Sequence, residues 1–353
     1  MANIKKLHPG VYIKDSLETM NMTSKEFSLR TGISERTLSA IINEKGNITF
    51  EVAYKLATFF DSSVDLWMNL QNQYDLYLLE TEKEKEINDD WELIKGIKKY
   101  LLEQNYICAE DSKKDIVDKT RKLIGVNSLS LLNVKDPFVC FREQHYKKEN
   151  NYFYQNFWIA LALNEARKKM VNNFNKEKLL SSIKEIRSMT VNKPDIFYPR
   201  LVKIMSECGI SFVFLPYLPK SNIYGATKWF SRNNVMLAIS NRGERADLFW
   251  FTLFHELSHL LMEHRRETLI SFSNVDDFEA DRMAFEMLIP KKEWDPFIKK
   301  GIYTIDSIEK FSRKIGILPL IVLGRLHREF GDCIPYSMLD NYFYVSYKIQ
   351  TNK

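Results

Sequence analysis

Hydrophobic positions along this chain change their spacing several times, and each change predicts an element. From Thr23 the sequence reads TSKEFSLRTGISERTLSAIINEKGNITF. Thr23 with Glu26 three positions later has the spacing of a capping box, and Gly32 stops that first short helix after Thr31. Ser34 then serves as N-cap of a second helix ending near Asn43, with Leu38, Ile41 and Ile42 on its inner face. The alternating-charge run ETEKEKEINDD is a solvated helix face or linker and marks the first boundary. Residues 91–104 and 116–124 are amphipathic, the second closed by Gly125. An aromatic-rich stretch over 136–175, containing Phe138, Phe141, Tyr146, Phe153, Phe157 and Trp158, reads as core and leads into a helix over 159–170. A helix over 201–208 ends at Gly209, and two largely apolar runs, 210–215 and 234–240, lie between turn residues as strands. Residues 249–264 are apolar nearly all the way round a helix, which places that helix in a core. Phe278, Phe285, Leu288 and Ile289 space a further helix to pack against it. The elements add up to an α+β protein, predominantly helical. It divides into helices over 1–80, a helical spacer over 81–197 and a C-terminal domain with a small sheet over 198–353.

The length of 353 residues, 45% of them hydrophobic, allows several cores. No segment approaches the roughly 18 unbroken apolar residues of a membrane helix, and the start MANIKKLHPG has no signal-peptide apolar region. A cytoplasmic protein with no membrane partner is the expectation. The cysteines, Cys108, Cys140, Cys208 and Cys333, have no C-x-x-C spacing, which argues against a disulfide framework or a cysteine metal site. The net charge of +5 is unevenly spread. Residues 1–75 carry 8 Lys/Arg against 9 Asp/Glu, whereas 165–203 carry 10 against 4. The basic surplus therefore lies outside the paired short helices.

Two groups of residues carry candidate chemistry. Within the apolar helix stands His255-Glu256-Leu257-Ser258-His259, an H-E-x-x-H pattern. Histidines four apart project from one helix face and can share one Zn2+, with Glu256 in reach of water held there as a catalytic base. Catalytic zinc sites normally take three protein ligands, and Glu279, 20 residues beyond His259, is the candidate for the third. His264 is a rival but lies about 140° round the helix from His259. Asp276, Asp277 and Asp281 are alternatives, as ligands or as acceptors that orient a histidine. Tyr224, His264 and His327 are candidates for stabilising an oxyanion. In the N-terminal part, two short helices joined through a Gly-containing turn form a helix-turn-helix whose second helix can enter a DNA major groove. Ser34, Arg36, Thr37, Ser39 and Asn43 would face bases or phosphates, with Lys25 and Lys45 on the backbone.

Residues 7–80 resemble the Cro/C1-type (XRE) repressors, and more closely the HigA antitoxin group. The resemblance is carried by His8-Pro9-Gly10, the helix pair, Asn47-Ile48-Thr49 and Asp65-Leu66-Trp67-Met68-Asn69-Leu70-Gln71. It implies a five-helix DNA-binding domain, usually a homodimer, that reads a palindromic operator. Residues 123–128 are similar to the spacer of proteins that fuse such a reader to a metallopeptidase. From Tyr198 onward the chain resembles the ImmA/IrrE metallopeptidases, through Gly225-Ala226, residues 251–259 and residues 279–290, with Ser258 and Met283 where Gly and Phe are common. The tail, with a helix over 305–315, Leu318-Pro319-Leu320-Ile321-Val322 and Gly324-Arg325-Leu326, continues it. That family is zincin-like. Position by position, the resemblance puts His255, His259 and Glu279 on zinc, with Glu256 as the base. It further implies cleavage of a specific protein regulator, a repressor or antitoxin often carrying its own helix-turn-helix. Strand 235–240 is the candidate edge that would align an extended substrate. The other reading is an antitoxin-like repressor whose zinc domain senses a ligand or partner and cuts nothing.

Overall fold

The computed structural model describes residues 7–134, 152–169, 172–262, 269–272, 278–331 and 336–347. Contacts divide the chain into two units, Met1–Asp89 and Asp90–Lys353. The first unit holds α1 (Pro9–Thr19), α2 (Ser24–Thr31), α3 (Glu35–Ile42), α4 (Phe50–Phe59) and most of α5 (Val64–Lys95), which runs through the charged stretch and across the division. Local chemistry sets these boundaries. Thr23 accepts from the Glu26 backbone, Ser34 from Thr37 and Thr49 from Val52, while Gly32 ends α2 in the left-handed region at φ 68°. Ile13, Phe27, Leu38, Ile41, Leu56 and Trp67 make the core the helices share.

His8-Pro9-Gly10 has a mechanical role in this unit. His8 caps α1, its Nδ1 accepting from the Gly10 backbone N–H at 2.9 Å, and Pro9 occupies the first turn, where its missing N–H costs nothing. The His8 ring is buried, meets the edge of Tyr74 at 4.8 Å and is hydrogen-bonded to the Gly46 backbone. A Cβ on Gly10 would stand 1.9 Å from the carbonyl oxygen of Ile41, so α1 lies directly against the last turn of α3. Burial pushes the His8 pKa below its usual value, against weaker opposing pulls from Glu44 and Asp75. The sign of the pH dependence follows. The folded state holds His8 neutral while the unfolded chain protonates near pH 6.5, so this contribution is complete above that value and is lost as pH falls below it. Urea unfolding of the full chain at pH 7.5 and 5.5 should show a larger acid loss for the parent than for His8→Asn. Equal losses would refute the assignment.

The second unit opens with α6 (Lys98–Glu103), α7 (Lys113–Ile124), a 3-10 turn (Leu129–Asn133), α8 (Tyr152–Arg167), α9 (Lys176–Ser188) and α10 (Pro194–Glu207). Asp90, fully buried, ties its first residues together. Its carboxylate accepts from Arg121 Nε at 2.7 Å, from Ser128 Oγ at 3.0 Å and from the Leu129 N–H at 3.0 Å. Of the aromatic stretch, Phe153, Phe157 and Trp158 are buried as core, while Phe138, Phe141 and Tyr146 lie outside the described residues. The Trp158 indole N–H and the Tyr100 hydroxyl both donate to the Pro216 carbonyl, joining these helices to the end of the first strand.

A four-stranded sheet follows: β1 (Ile210–Leu215), β2 (Ile223–Trp229), β3 (Val235–Ser240) and β4 (Leu269–Phe272), in the order β1-β3-β2-β4. β1 runs parallel to β3, with Ile210 opposite Val235, and β2 runs antiparallel to both β3 and β4. The expectation that residues 235–240 form a substrate-aligning edge is therefore corrected. β3 is paired on both sides, and the edges are β1 and β4. Every residue of β3 is buried, the pattern of an interior strand covered on both faces, and the largely apolar run fits that position better than an edge. Helix α11 (Ala246–Leu261) crosses this sheet, and α12 (Phe278–Leu288), α13 (Lys291–Lys299), α14 (Ile305–Ile315), α15 (Pro319–Phe330) and α16 (Tyr336–Phe343) complete the unit. Trp250, Leu253, Phe254 and Leu257 of α11 join Phe212, Leu237, Leu288 and Leu323 in one core. Among the described residues no helix is long and apolar enough to cross a membrane.

Candidate functional site

Helix α11 can bring polar groups into the core because its apolar residues anchor it on either side of them. Fourteen of its residues are buried, including His255, Glu256 and His259. Arg245 precedes the first turn, pairing with Asp247 at 3.0 Å and reaching Asp340 at 2.9 Å, and the Trp250 indole donates to the Tyr347 hydroxyl at 2.9 Å. With the helix fixed, the four-residue spacing turns both imidazoles to one side. Their Nε2 atoms stand 3.1 Å apart, with the rings at 85°. Two nitrogens bound to one tetrahedral zinc would stand about 3.3 Å apart, given bonds of about 2.0–2.1 Å. The spacing of the two nitrogens is close to that of two zinc ligands, and is equally that of an N–H···N hydrogen bond between the rings.

Asp281, on α12, holds the other side of the first imidazole. Its Oδ1 lies 2.8 Å from His255 Nδ1, which fixes the ring and leaves Nε2 turned toward His259. Asp281, one of three aspartates considered for this region, is thus placed as a histidine-orienting acceptor. Asp276, Asp277 and the rival ligand His264 lie outside the described residues. Glu279 is exposed in the first turn of α12, two residues before Asp281. Among the described residues no group of three His, Cys, Asp or Glu side chains is assembled for a metal. The structure brings His255 and His259 together and does not place Glu279 with them.

Glu256 points to the sheet. It is fully buried, and its Oε2 accepts from the Thr227 hydroxyl of β2 at 2.5 Å. A Cβ added to Gly225, two residues earlier on the same strand, would come within 2.9 Å of Glu256 Oε1 and 2.8 Å of Thr252 Cγ2. The absence of a side chain at Gly225 leaves the space the carboxylate occupies. Thr227 was not anticipated, because a single polar residue in a short strand carries no spacing signal. Of the oxyanion candidates, Tyr224 carries the Arg242 guanidinium over its ring at 4.5 Å and His327 lies on α15. Cys208 is buried, which pushes its thiol pKa up, and Cys108 is exposed; neither is in a disulfide.

The helix-turn-helix surface is simpler. Lys25, Ser34, Arg36, Ser39, Asn43 and Lys45 are exposed and Thr37 is half-buried. Several already have local partners. Ser34 Oγ lies 2.7 Å from Thr37 Oγ1, and the Asn43 side-chain amide donates to the Ser39 carbonyl at 2.8 Å. Arg36 stands in the first turn of α3 with its side chain exposed.

Comparison with known proteins agrees with both halves. A helix-turn-helix family matches residues 13–67, and the IrrE N-terminal-like domain of the M78 peptidases matches residues 205–327. The HTH-type transcriptional regulator YbaQ of Escherichia coli is 31% identical over 101 residues, which are 28% of this chain and 88% of YbaQ. The chain belongs to the HTH-type regulators and carries an IrrE N-terminal-like peptidase domain. The helix-turn-helix part is also similar to antitoxin HigA-1 of Vibrio cholerae, 38% identical over 61 residues that make up 17% of this chain and 57% of that one. A solved Pseudomonas aeruginosa antitoxin HigA with the higBA promoter is 28% identical, covers 24% of this chain and 94% of its own, and has a TM-score of 0.23. The H-E-x-x-H helix and the Asp281 turn both fall inside the IrrE-like match.

Proposed function

We propose that this chain is a DNA-binding regulatory zinc endopeptidase that cleaves a specific protein regulator, a repressor or antitoxin, from the cytoplasm. The observation that carries the reading is the convergence of the two Nε2 atoms at 3.1 Å on a helix whose Glu256 is buried between them in sequence. His255, His259 and Glu279 would hold the zinc; Glu279, exposed and apart from the two histidines, would have to move to join them. A bound zinc supplies an acidified water and polarises a peptide carbonyl. The chain's own groups do the rest. Asp281 orients His255, Thr227 and Gly225 keep the Glu256 carboxylate in one place, and the apolar walls of α11 exclude bulk water. Glu256 takes a proton from the attacking water and returns it to the leaving amine.

The helix-turn-helix half would bring the peptidase to an operator, read by α3 through Arg36 and its neighbours as a homodimer. Its own charge is close to balanced, so few phosphate contacts per copy are available, and dimerisation would double them. The relatives named as HTH-type regulators and as antitoxins support this reading.

The test is Glu256→Gln, which keeps the ligands and removes the base. The variant should bind zinc near one equivalent, retard DNA as the parent does, and lose control of its target gene in cells. Control equal to the parent's would overturn the enzymatic reading in favour of a sensor that cuts nothing.

A further inference from the structure

Asp281 has a second partner on the side away from His255. Its Oδ2 accepts from the guanidinium of Arg328, in the last turn of α15, while Oδ1 faces His255 Nδ1. The guanidinium is held by more than the carboxylate. It lies over the Phe251 ring at 5.2 Å and the Phe285 ring at 5.7 Å, and these two rings pack on each other with centroids 4.8 Å apart. Phe251 is one helical turn before His255 on α11, and Phe285 is one turn after Asp281 on α12. One side chain from α15 therefore spans the two helices that supply the histidine and its acceptor.

We infer that Arg328 is a positioning residue of the metal site, acting through Asp281 to hold His255. The inference rests on the proposed zinc reading. A carboxylate on a short side chain can turn about its terminal torsion and offer either oxygen, or neither, to an imidazole. An ion pair to Oδ2 removes that freedom, and the planar guanidinium, seated on two aromatic faces, fixes the plane in which the pair lies. Asp281 is buried, so without Arg328 its charge would lack this counter-ion beside the histidine. Arg325, three residues earlier, shares the Phe285 ring, over which it lies at 5.0 Å, but its hydrogen bonds go to Glu329 and the Ile289 carbonyl and it stacks on Trp294 at 4.4 Å. It does not substitute for Arg328.

The test measures zinc affinity of the full chain by competition with a chromophoric chelator, using zinc alone as the probe. Partners that orient a metal-bound histidine typically change metal affinity by 10–100-fold, and Arg328 stands one step further out, so Arg328→Met should weaken zinc about tenfold. Arg328→Lys, which keeps the charge and loses the planar fork, should recover part of the loss. The decisive arm is the cycle with Asp281→Asn. In that background Arg328→Met should change affinity less than about twofold, because its route to His255 is already cut. A merely structural arginine would weaken zinc equally in both backgrounds, and that result overturns the inference. Parent-like affinity in Arg328→Met overturns it too. A parent that binds no zinc overturns the zinc reading itself and the inference with it.

Discussion

Gly10→Ala will destabilise the N-terminal unit by about 3 kcal/mol, the upper end of the usual cost of overpacking, reversing the sign of the usual effect of such a change in a helix. Glycine inside a helix ordinarily costs about 1 kcal/mol relative to alanine, so alanine at Gly10 would be stabilising if only α1 mattered. The new Cβ, however, would stand 1.9 Å from the Ile41 carbonyl oxygen and 2.7 Å from its carbonyl carbon. Both are backbone atoms of α3, so no rotamer change relieves the overlap. Either α1 or α3 must move, and α1 is pinned by the His8 cap. Domains are stable by only about 5–15 kcal/mol, so a cost of this size removes a large share of the total. Because Ile41 is in the last turn of the helix proposed to read DNA, operator affinity should fall with stability. Urea unfolding of the full chain measures the first effect and gel retardation the second. A variant as stable as the parent would show that the approach of α1 to α3 is looser than the geometry requires.

Asp90→Ala will lower the stability of the C-terminal unit by about 3–5 kcal/mol, the range observed when one partner of a buried ion pair is removed. The aspartate is fully buried and serves three donors: the Arg121 guanidinium, the Ser128 hydroxyl and the Leu129 N–H. Alanine takes the carboxylate from all of them at once and opens the junction between the end of α5, α7 and the 3-10 turn. For a unit of this size the thermal midpoint should fall by roughly 10 °C. Asp90→Asn, which keeps the shape and part of the hydrogen bonding, should cost less, on the order of 1–3 kcal/mol. Calorimetry on the three proteins decides it, and a fall of less than about 2 °C for Asp90→Ala would mean that the network is not holding the junction.

Where residues act on neighbours in sequence, the chain was readable in advance. Thr23, Ser34 and Gly32 bound α2 and α3 where capping chemistry placed them, and β1 is the apolar run over 210–215. The histidine pair was readable for the same reason, since a four-residue spacing on a helix fixes which side chains meet. β2 was not, because Gly225, Thr227 and Lys228 interrupt its apolar pattern, and two of these, Gly225 and Thr227, are where the strand meets Glu256. The edge assigned to β3 failed because strand order is a non-local property. A largely apolar run tells that a strand is buried, not which strands flank it. Asp281 and Arg328 are 47 residues apart and belong to different helices, so their pairing depends on packing that no spacing encodes.

The bare backbone at Gly225 reaches beyond this one molecule. The letters H-E-x-x-H do not by themselves say that the glutamate has room to sit where it does here. The strand opposite is a separate witness. In a chain that retains both histidines, a side chain at the position of Gly225 would press on the glutamate and on the neighbouring threonine, and one of them would have to shift. Reading that one strand position alongside the helix would sort sequences that keep room for the glutamate where it sits here from those that keep only its letters.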